Sequence, residues 1–176
     1  MSTLFVAEVP EELRRWLDRR KALGQDLRDE VWDGVYHVAP HAHSDHGIVE
    51  LSLAAVLHTL ARNQGLVATT AFNLGKEEDF RVPDLGVHAA RPGLLFVPTA
   101  LVVAEVLSPG DETWQKLDFY RRQGVEELLV AHPDEQWVRC YDLVGTTGIP
   151  AASSRSRILD VAMTDVEAAV DWPPAS

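Results

Sequence analysis

The stretch ALVVAEVLS, residues 100–108, constrains this chain more than any other. Its near-continuous run of apolar residues, many of them β-branched, marks a strand covered on both faces, as strands at the centre of a sheet are. Yet Glu105 lies inside the run. A carboxylate carried into an interior without a partner costs several kcal/mol, so this position calls for a cation, supplied by a side chain or by a metal.

The flanking sequence supplies the layers that such a strand needs. Pro10 suits the first turn of a helix, and Leu13, Trp16, Leu17 and Leu23 keep near-helical spacing up to Gly24. EVWDGVYHVAP reads as a short strand or a hairpin about Asp33-Gly34. GIVELSLAAVLHTLARNQG carries Ile48, Leu51, Ala54, Ala55, Leu57 and Leu60 at helical spacing and stops at Gly65. LVATTAF, DFRVPDLGVHA and ALVVAEVLS follow as β-rich runs. DETWQKLDFYRRQG is a helix with Asp111 as cap, Trp114, Leu117 and Tyr120 on one face, and Gly124 as its stop. VEELLVAHP and QWVRCYDL are two strands joined through Pro133-Asp134-Glu135; SRILDVA is one more, and TDVEAAVDW a short closing helix. The expected fold class is α/β, a mixed β-sheet flanked by helices, in a single domain over residues 1–176 with no repeat or linker.

Charge narrows the function. Sixteen basic against 27 acidic residues give a net charge of −11, which argues against a protein that coats nucleic acid by bulk attraction. It leaves room for an enzyme whose acids hold a cation and whose basic groups are localised. Arg14, Arg15, Arg19, Arg20, Lys21 and Arg28 fall in one segment, interleaved with Glu11, Glu12 and Asp18, and read as a solvated helix face. No apolar run approaches a membrane span, and MSTLFVAEVPEELRR lacks a signal-peptide pattern, so a cytoplasmic protein without membrane contact is expected. The lone Cys140, in WVRCYDL, reads as a small buried hydrophobe.

Three residues form a constellation that a sheet would gather: Asp84 after Pro83, Glu105 in the apolar strand, and Lys116 on the helix that follows. Neighbouring strands run about 5 Å apart and can bring two carboxylates to one ion. Hard carboxylate oxygens suit Mg²⁺, with a phosphate completing the set, and a nearby lysine can polarise the phosphate or orient water. The plainer alternatives are a salt bridge for Glu105 and a solvated helix position for Lys116. A rival constellation is PHAHSDHG, in which His41, His43, Asp45 and His46 fit H-x-H-x-D-H, the pattern of metallo-β-lactamase-like zinc hydrolases. That pattern needs downstream ligands, a part that His88 and His132 fit only through a forced alignment, and β structure ahead of it where this chain carries a helix.

RVPDLGVH and LVVAEVLSPGDETWQKLDFYRRQGVEELLVAHP resemble the core of the Uma-two family of restriction-endonuclease-like proteins, within the PD-(D/E)xK nuclease superfamily. DEVWDGVYHVAPHAHSDHGIVELSLAAVL extends the resemblance upstream, to about residues 28–143, with Glu30, Gly34 and His46 at matching positions. The resemblance implies a restriction-endonuclease-like mixed sheet and an endonuclease that uses Mg²⁺ or Mn²⁺ to hydrolyse DNA. On it, Asp84, Glu105 and Lys116 are the catalytic set, and Asp84 and Glu105 the metal ligands. Leu107 stands where the superfamily lysine is usual, and Lys116 takes its part from the next helix. Glu30, His46 and Glu112 are supporting residues near the metal, Glu112 standing for an aspartate four residues before the lysine; His46 is either a site contact or a helix cap. His41 and His43 then belong to a variable loop. The Glu105–Lys116 segment is shorter than usual, which leaves open a catalytically inactive nucleic-acid- or protein-binding module of the same fold. A homodimer would be compatible with two-strand cleavage.

Overall fold

The computed structural model describes residues 2–3, 10–39 and 43–174. In chain order the first elements are β1 (Ser2–Thr3), α1 (Glu11–Ala22), β2 (Glu30–Trp32), β3 (Val35–Val38) and α2 (Ser44–Asn63). Then come β4 (Val67–Thr70), β5 (Asn73–Lys76), β6 (Asp79–Arg81), β7 (Leu85–His88), β8 (Phe96–Val97) and β9 (Val102–Val106). A 3₁₀ turn (Thr113–Lys116) leads into α3 (Leu117–Arg122), followed by β10 (Glu127–His132), β11 (Trp137–Asp142) and β12 (Ala152–Ser153). A hairpin of β13 (Arg155–Ser156) and β14 (Val161–Ala162) precedes α4 (Met163–Glu167).

The apolar run becomes β9, a central strand of a six-stranded sheet ordered β12-β11-β10-β9-β7-β4. It runs parallel to β10, with Glu105 beside Val130, and antiparallel to β7, with Ala104 opposite Leu85. Side chains alternate across a strand. Val102, Ala104 and Val106 therefore join one core, packed with Val49, Leu53, Leu57 and Ala61 from one stripe of α2 and with Met163 and Val166 of α4. Val103 faces the opposite way, into a second core with Leu117, Phe119 and Tyr120 of α3 and Leu74 of β5. Glu105 shares that second face. Cys140 is buried in the first core, as its strand setting suggests.

The second sheet is ordered β1-β3-β2-β6-β5-β8. Its β2–β3 hairpin turns at Asp33 and Gly34, both with positive φ (47° and 82°), a conformation that aspartate tolerates and glycine favours.

Several boundaries differ from the sequence reading, each for a local reason. DFRVPDLGVHA is two strands in two different sheets, because Pro83 has no N–H for a ladder and Val82 N–H is bonded to the Glu30 carboxylate, at 2.8 Å. Val82-Pro83-Asp84 is thus the crossover between the sheets. SRILDVA is a hairpin rather than one strand, turned at Asp160 with φ 53°. The helix expected at DETWQKLDFYRRQG opens as the 3₁₀ turn, with Asp111 accepting the Thr113 N–H at 2.6 Å, and ends where Gly124 takes φ 73°. β8, two residues long, is too short to leave a sequence signal, and β5 (NLGK) has only one apolar side chain and a glycine. Among the described residues no helix is long and apolar enough to cross a membrane.

Candidate active site

Two charged clusters meet at the crossover. The first is closed. Lys116 Nζ lies 2.9 Å from Glu30 Oε1 and 3.2 Å from Glu105 Oε1, so one ammonium bridges carboxylates from both sheets. Tyr120, one helical turn beyond Lys116, donates its hydroxyl to Glu105. Glu30 accepts further from Val82 N–H at 2.8 Å and Trp32 Nε1–H at 2.5 Å. All four groups are buried. Burial disfavours the ionised forms, and for Glu105 it outweighs the pull of Lys116 and, with Asp84 adding repulsion, pushes the carboxyl up to about 7. Burial also opposes the Lys116 ammonium, but Glu105 and Glu30 together raise its pKa above the ordinary value. Lys116 is therefore a fixed cation and not a proton acceptor.

The second cluster centres on Asp84 and is more open. Asp84 immediately precedes Leu85, whose partner on β9 is Ala104, so Asp84 stands at the register position opposite Glu105. Its Oδ2 accepts the Val106 N–H at 2.8 Å, which fixes the carboxylate to β9. Its Oδ1 meets Arg28 NH1 at 2.6 Å and His46 Nε2 at 3.5 Å. Arg28 NH2 reaches both oxygens of Glu50, at 2.7 and 2.9 Å, and His46 Nε2 lies 3.7 Å from Glu50 Oε2. His46 and Glu50 are one turn apart on α2, and Ser108 Oγ at 3.0 Å from His46 Nδ1 orients the ring. Burial alone would raise the Asp84 carboxyl; the hydrogen bond and charge of His46, the Val106 N–H and Arg28 together hold it below the usual carboxylate range. The Asp84 hydrogen bond in turn raises the His46 pKa, against burial.

Metal-ligating potential concentrates here. Among the described residues, His46, Glu50 and Asp84 are the one group of three that each offer a ligand atom within 4.8 Å of the others. Two carboxylates and an imidazole suit a divalent cation, the imidazole favouring Mn²⁺ over Mg²⁺. A groove of about 600 Å³ opens beside His46, lined by Ser108, Asp111, Trp114 and His132 among others.

Of the residues expected from sequence, Asp84, Glu105, Lys116, Glu30 and His46 converge. His46 is not the cap of α2: it lies within the first turn, and His43 is the N-cap, its Nδ1 accepting the Asp45 N–H at 3.3 Å. Glu112 faces His37, the β3 partner of Glu30, its Oε2 3.7 Å from His37 Nδ1, and both atoms are buried without a hydrogen bond. The H-x-H-x-D-H pattern is split by the helix start, His43 being 78% exposed while His46 points to Asp84; His41 lies outside the described residues. His88 is buried against Thr69, and His132 pairs with Glu135, so neither joins the cluster. The basic segment is not uniformly solvated: Arg20 grips buried Asp29 through two nitrogens, and Arg28 enters the site, while Arg14, Arg15, Arg19 and Lys21 are exposed. Sequence reasoning missed Arg28, Glu50 and Tyr120. The i,i+4 spacings His46–Glu50 and Lys116–Tyr120 carry a signal for the last two; Arg28, on a loop, leaves none.

A family model described as "putative restriction endonuclease", Uma2, matches residues 10–168. The chain belongs to the Uma2 family. Among solved structures, a protein from Anabaena variabilis described as a "putative nuclease belonging to DUF820" is similar, with TM-score 0.64 and 16% identity over 80% of this chain and 89% of that one. At that identity the likeness speaks for the fold, which is the restriction-endonuclease-like mixed sheet that the sequence suggests. No functionally curated protein matches. Uma2 membership supports a nuclease role.

Proposed function

We propose that this chain is a metal-dependent endonuclease that hydrolyses phosphodiester bonds of DNA, with Asp84, Glu105 and Lys116 at its catalytic centre. The observation that carries the reading is the convergence of Asp84, Glu105, Lys116 and Glu30, which are far apart in sequence, onto one crossover in a member of the Uma2 family. Asp84 would hold Mg²⁺ or Mn²⁺, with Glu105 on one side and Glu50 and His46 on the other. When bound, the cation neutralises charge that develops on the phosphoryl oxygens and acidifies water. The protein's own groups do the rest. Lys116, kept cationic by two carboxylates, fixes the Glu105 side chain and adds positive potential. Ser108 holds the His46 ring in place, and Val106 N–H holds Asp84. The groove between His46 and Trp114 offers room and an aromatic edge for a nucleotide.

One observation favours a second reading, a nucleic-acid-binding module without cleavage: every carboxylate named here already has a cationic side chain against it. The deciding experiment is cleavage of plasmid DNA with and without Mg²⁺ or Mn²⁺, by wild type, Asp84→Asn and Glu105→Gln. Cleavage that requires the metal and is lost in both variants supports the nuclease reading. Cleavage indifferent to metal or to both substitutions refutes the mechanism, and metal-dependent binding without cleavage by wild type selects the second reading.

A further inference from the structure

Arg28 lies outside the sequence constellation of Asp84, Glu105 and Lys116. It lies between α1 and β2, outside both sheets, and its guanidinium fork is inserted among the three donors of the open cluster. NH1 takes Asp84 Oδ1, the oxygen that Val106 leaves free, and NH2 takes both oxygens of Glu50. The same Oδ1 and the same Glu50 carboxylate are the atoms nearest His46 Nε2. A guanidinium does not deprotonate under these conditions, and its pKa here is raised further: burial opposes this, but Glu50 and Asp84 outweigh it. Two cations cannot share one carboxylate oxygen at contact distance without strong repulsion. The Arg28 side chain is 40% exposed, against 15% for Glu50 and 9% for Asp84, so it is the outermost group and has solvent to move into.

We propose that Arg28 is a tethered counter-ion of the metal site, competing with the divalent cation for Asp84 and Glu50, and that metal entry releases its guanidinium to a phosphate of the substrate. The inference rests on the metal-site reading above and adds an order to it. In the metal-free chain Arg28 neutralises the carboxylates. With the ion in place the planar fork, which matches phosphate oxygens two at a time, is free for a phosphate that approaches past His46, whose side chain lines the groove. Arg28 is thus a positioning residue with two mutually exclusive partners.

The test measures Mn²⁺ binding to the full chain by calorimetry, and binding of a DNA duplex in Ca²⁺ by fluorescence anisotropy, for wild type, Arg28→Met, Arg28→Lys and Asp84→Asn. Removing the competitor should tighten Mn²⁺ binding in Arg28→Met by roughly tenfold to a hundredfold, the range for losing a charge-assisted hydrogen bond, while duplex binding weakens. Arg28→Lys, which keeps the charge and loses the fork, should fall between. These opposite signs are not what a general loosening of the fold produces, and thermal unfolding with and without Mn²⁺ checks that each variant is folded. Unchanged or weaker Mn²⁺ binding in Arg28→Met overturns the competition, and unchanged duplex binding overturns the phosphate role. If Asp84→Asn abolishes Mn²⁺ binding while Arg28→Met does not tighten it, the metal site stands and only the inference fails. If neither wild type nor Arg28→Met binds Mn²⁺, both fail.

Discussion

The two clusters that meet at Val82-Pro83-Asp84 use similar residues to opposite ends. Around Glu105 the cation comes from a buried side chain, Lys116, and Glu30, Trp32, Tyr120 and Val82 complete a network with little access to solvent. Around Asp84 the cation comes from a loop arginine that is partly exposed, and one imidazole nitrogen lies 3.5 Å from Asp84 and 3.7 Å from Glu50. The closed cluster has the character of a built-in ion pair that joins two sheets. The open one has the character of a site that an outside ion can enter. Burial makes the difference: the same charges are costly to unpair in one place and cheap to rearrange in the other.

The largest expected effect breaks the closed side. Lys116→Met leaves two buried carboxylates facing each other and should destabilise the fold by about 3–5 kcal/mol, whereas Arg28→Met should cost about 1 kcal/mol or less; urea denaturation of both compares them. Comparable losses would mean that the clusters do not differ. Next, Asp84→Asn keeps an acceptor for Val106 N–H and should leave stability within about 1 kcal/mol of wild type, yet lower DNA cleavage by about a thousandfold. A variant that merely unfolds would show both losses together.

The pH dependence separates the clusters by sign. Glu105 is pushed up to about 7, above the ordinary glutamate value, so its contribution to stability is present in acid and is lost as pH rises through about 7. Asp84 is held below the ordinary aspartate value, so its contribution is present at neutral pH and lost in acid. Stability curves of Glu105→Gln and Asp84→Asn from pH 2 to 8 should therefore approach wild type in acid and depart from it with opposite signs at neutral pH, Glu105→Gln rising relative to wild type and Asp84→Asn falling. Because cation binding needs the carboxylate form, Mn²⁺ affinity should rise as pH passes about 7, and Glu105→Gln should flatten that rise. The smallest effect expected is that of His43→Ala, about 0.5 kcal/mol of helix-cap stability, with metal content and cleavage unchanged. A loss of tightly bound zinc in that variant would revive the H-x-H-x-D-H reading.

Much of this was legible beforehand wherever one residue had to satisfy two demands. Glu105 in an apolar strand called for a cation, and Lys116 is that cation. The helix α2 lies where the periodicity puts it, but its buried stripe is Val49, Leu53, Leu57 and Ala61. Of the residues read from the spacing only Leu57 is in it, Ala54 and Leu60 pack at its edge, and Ile48, Leu51 and Ala55 face solvent. What stayed hidden depended on crossing between layers. No local pattern says that Phe80 and Leu85 belong to different sheets, that a loop arginine reaches Asp84, or that a glutamate on the exposed-looking side of α2 faces a strand end. The H-x-H-x-D-H string misleads for the complementary reason. Its spacing is measured along the chain, while the helix that begins at Ser44 turns His43 and His46 to different sides.

The crossover also bears on when the site comes into being. Lys116 and Glu30 are 86 positions apart and Arg28 and Asp84 are 56 apart, so no short stretch of nascent chain contains either pair. The closed cluster joins side chains of both sheets, and contacts so far apart in sequence carry a large cost of chain closure. A chain released from synthesis before Lys116 carries the carboxylates without the ammonium that holds them together. The proposed catalytic centre is in this way tied to completion of the fold.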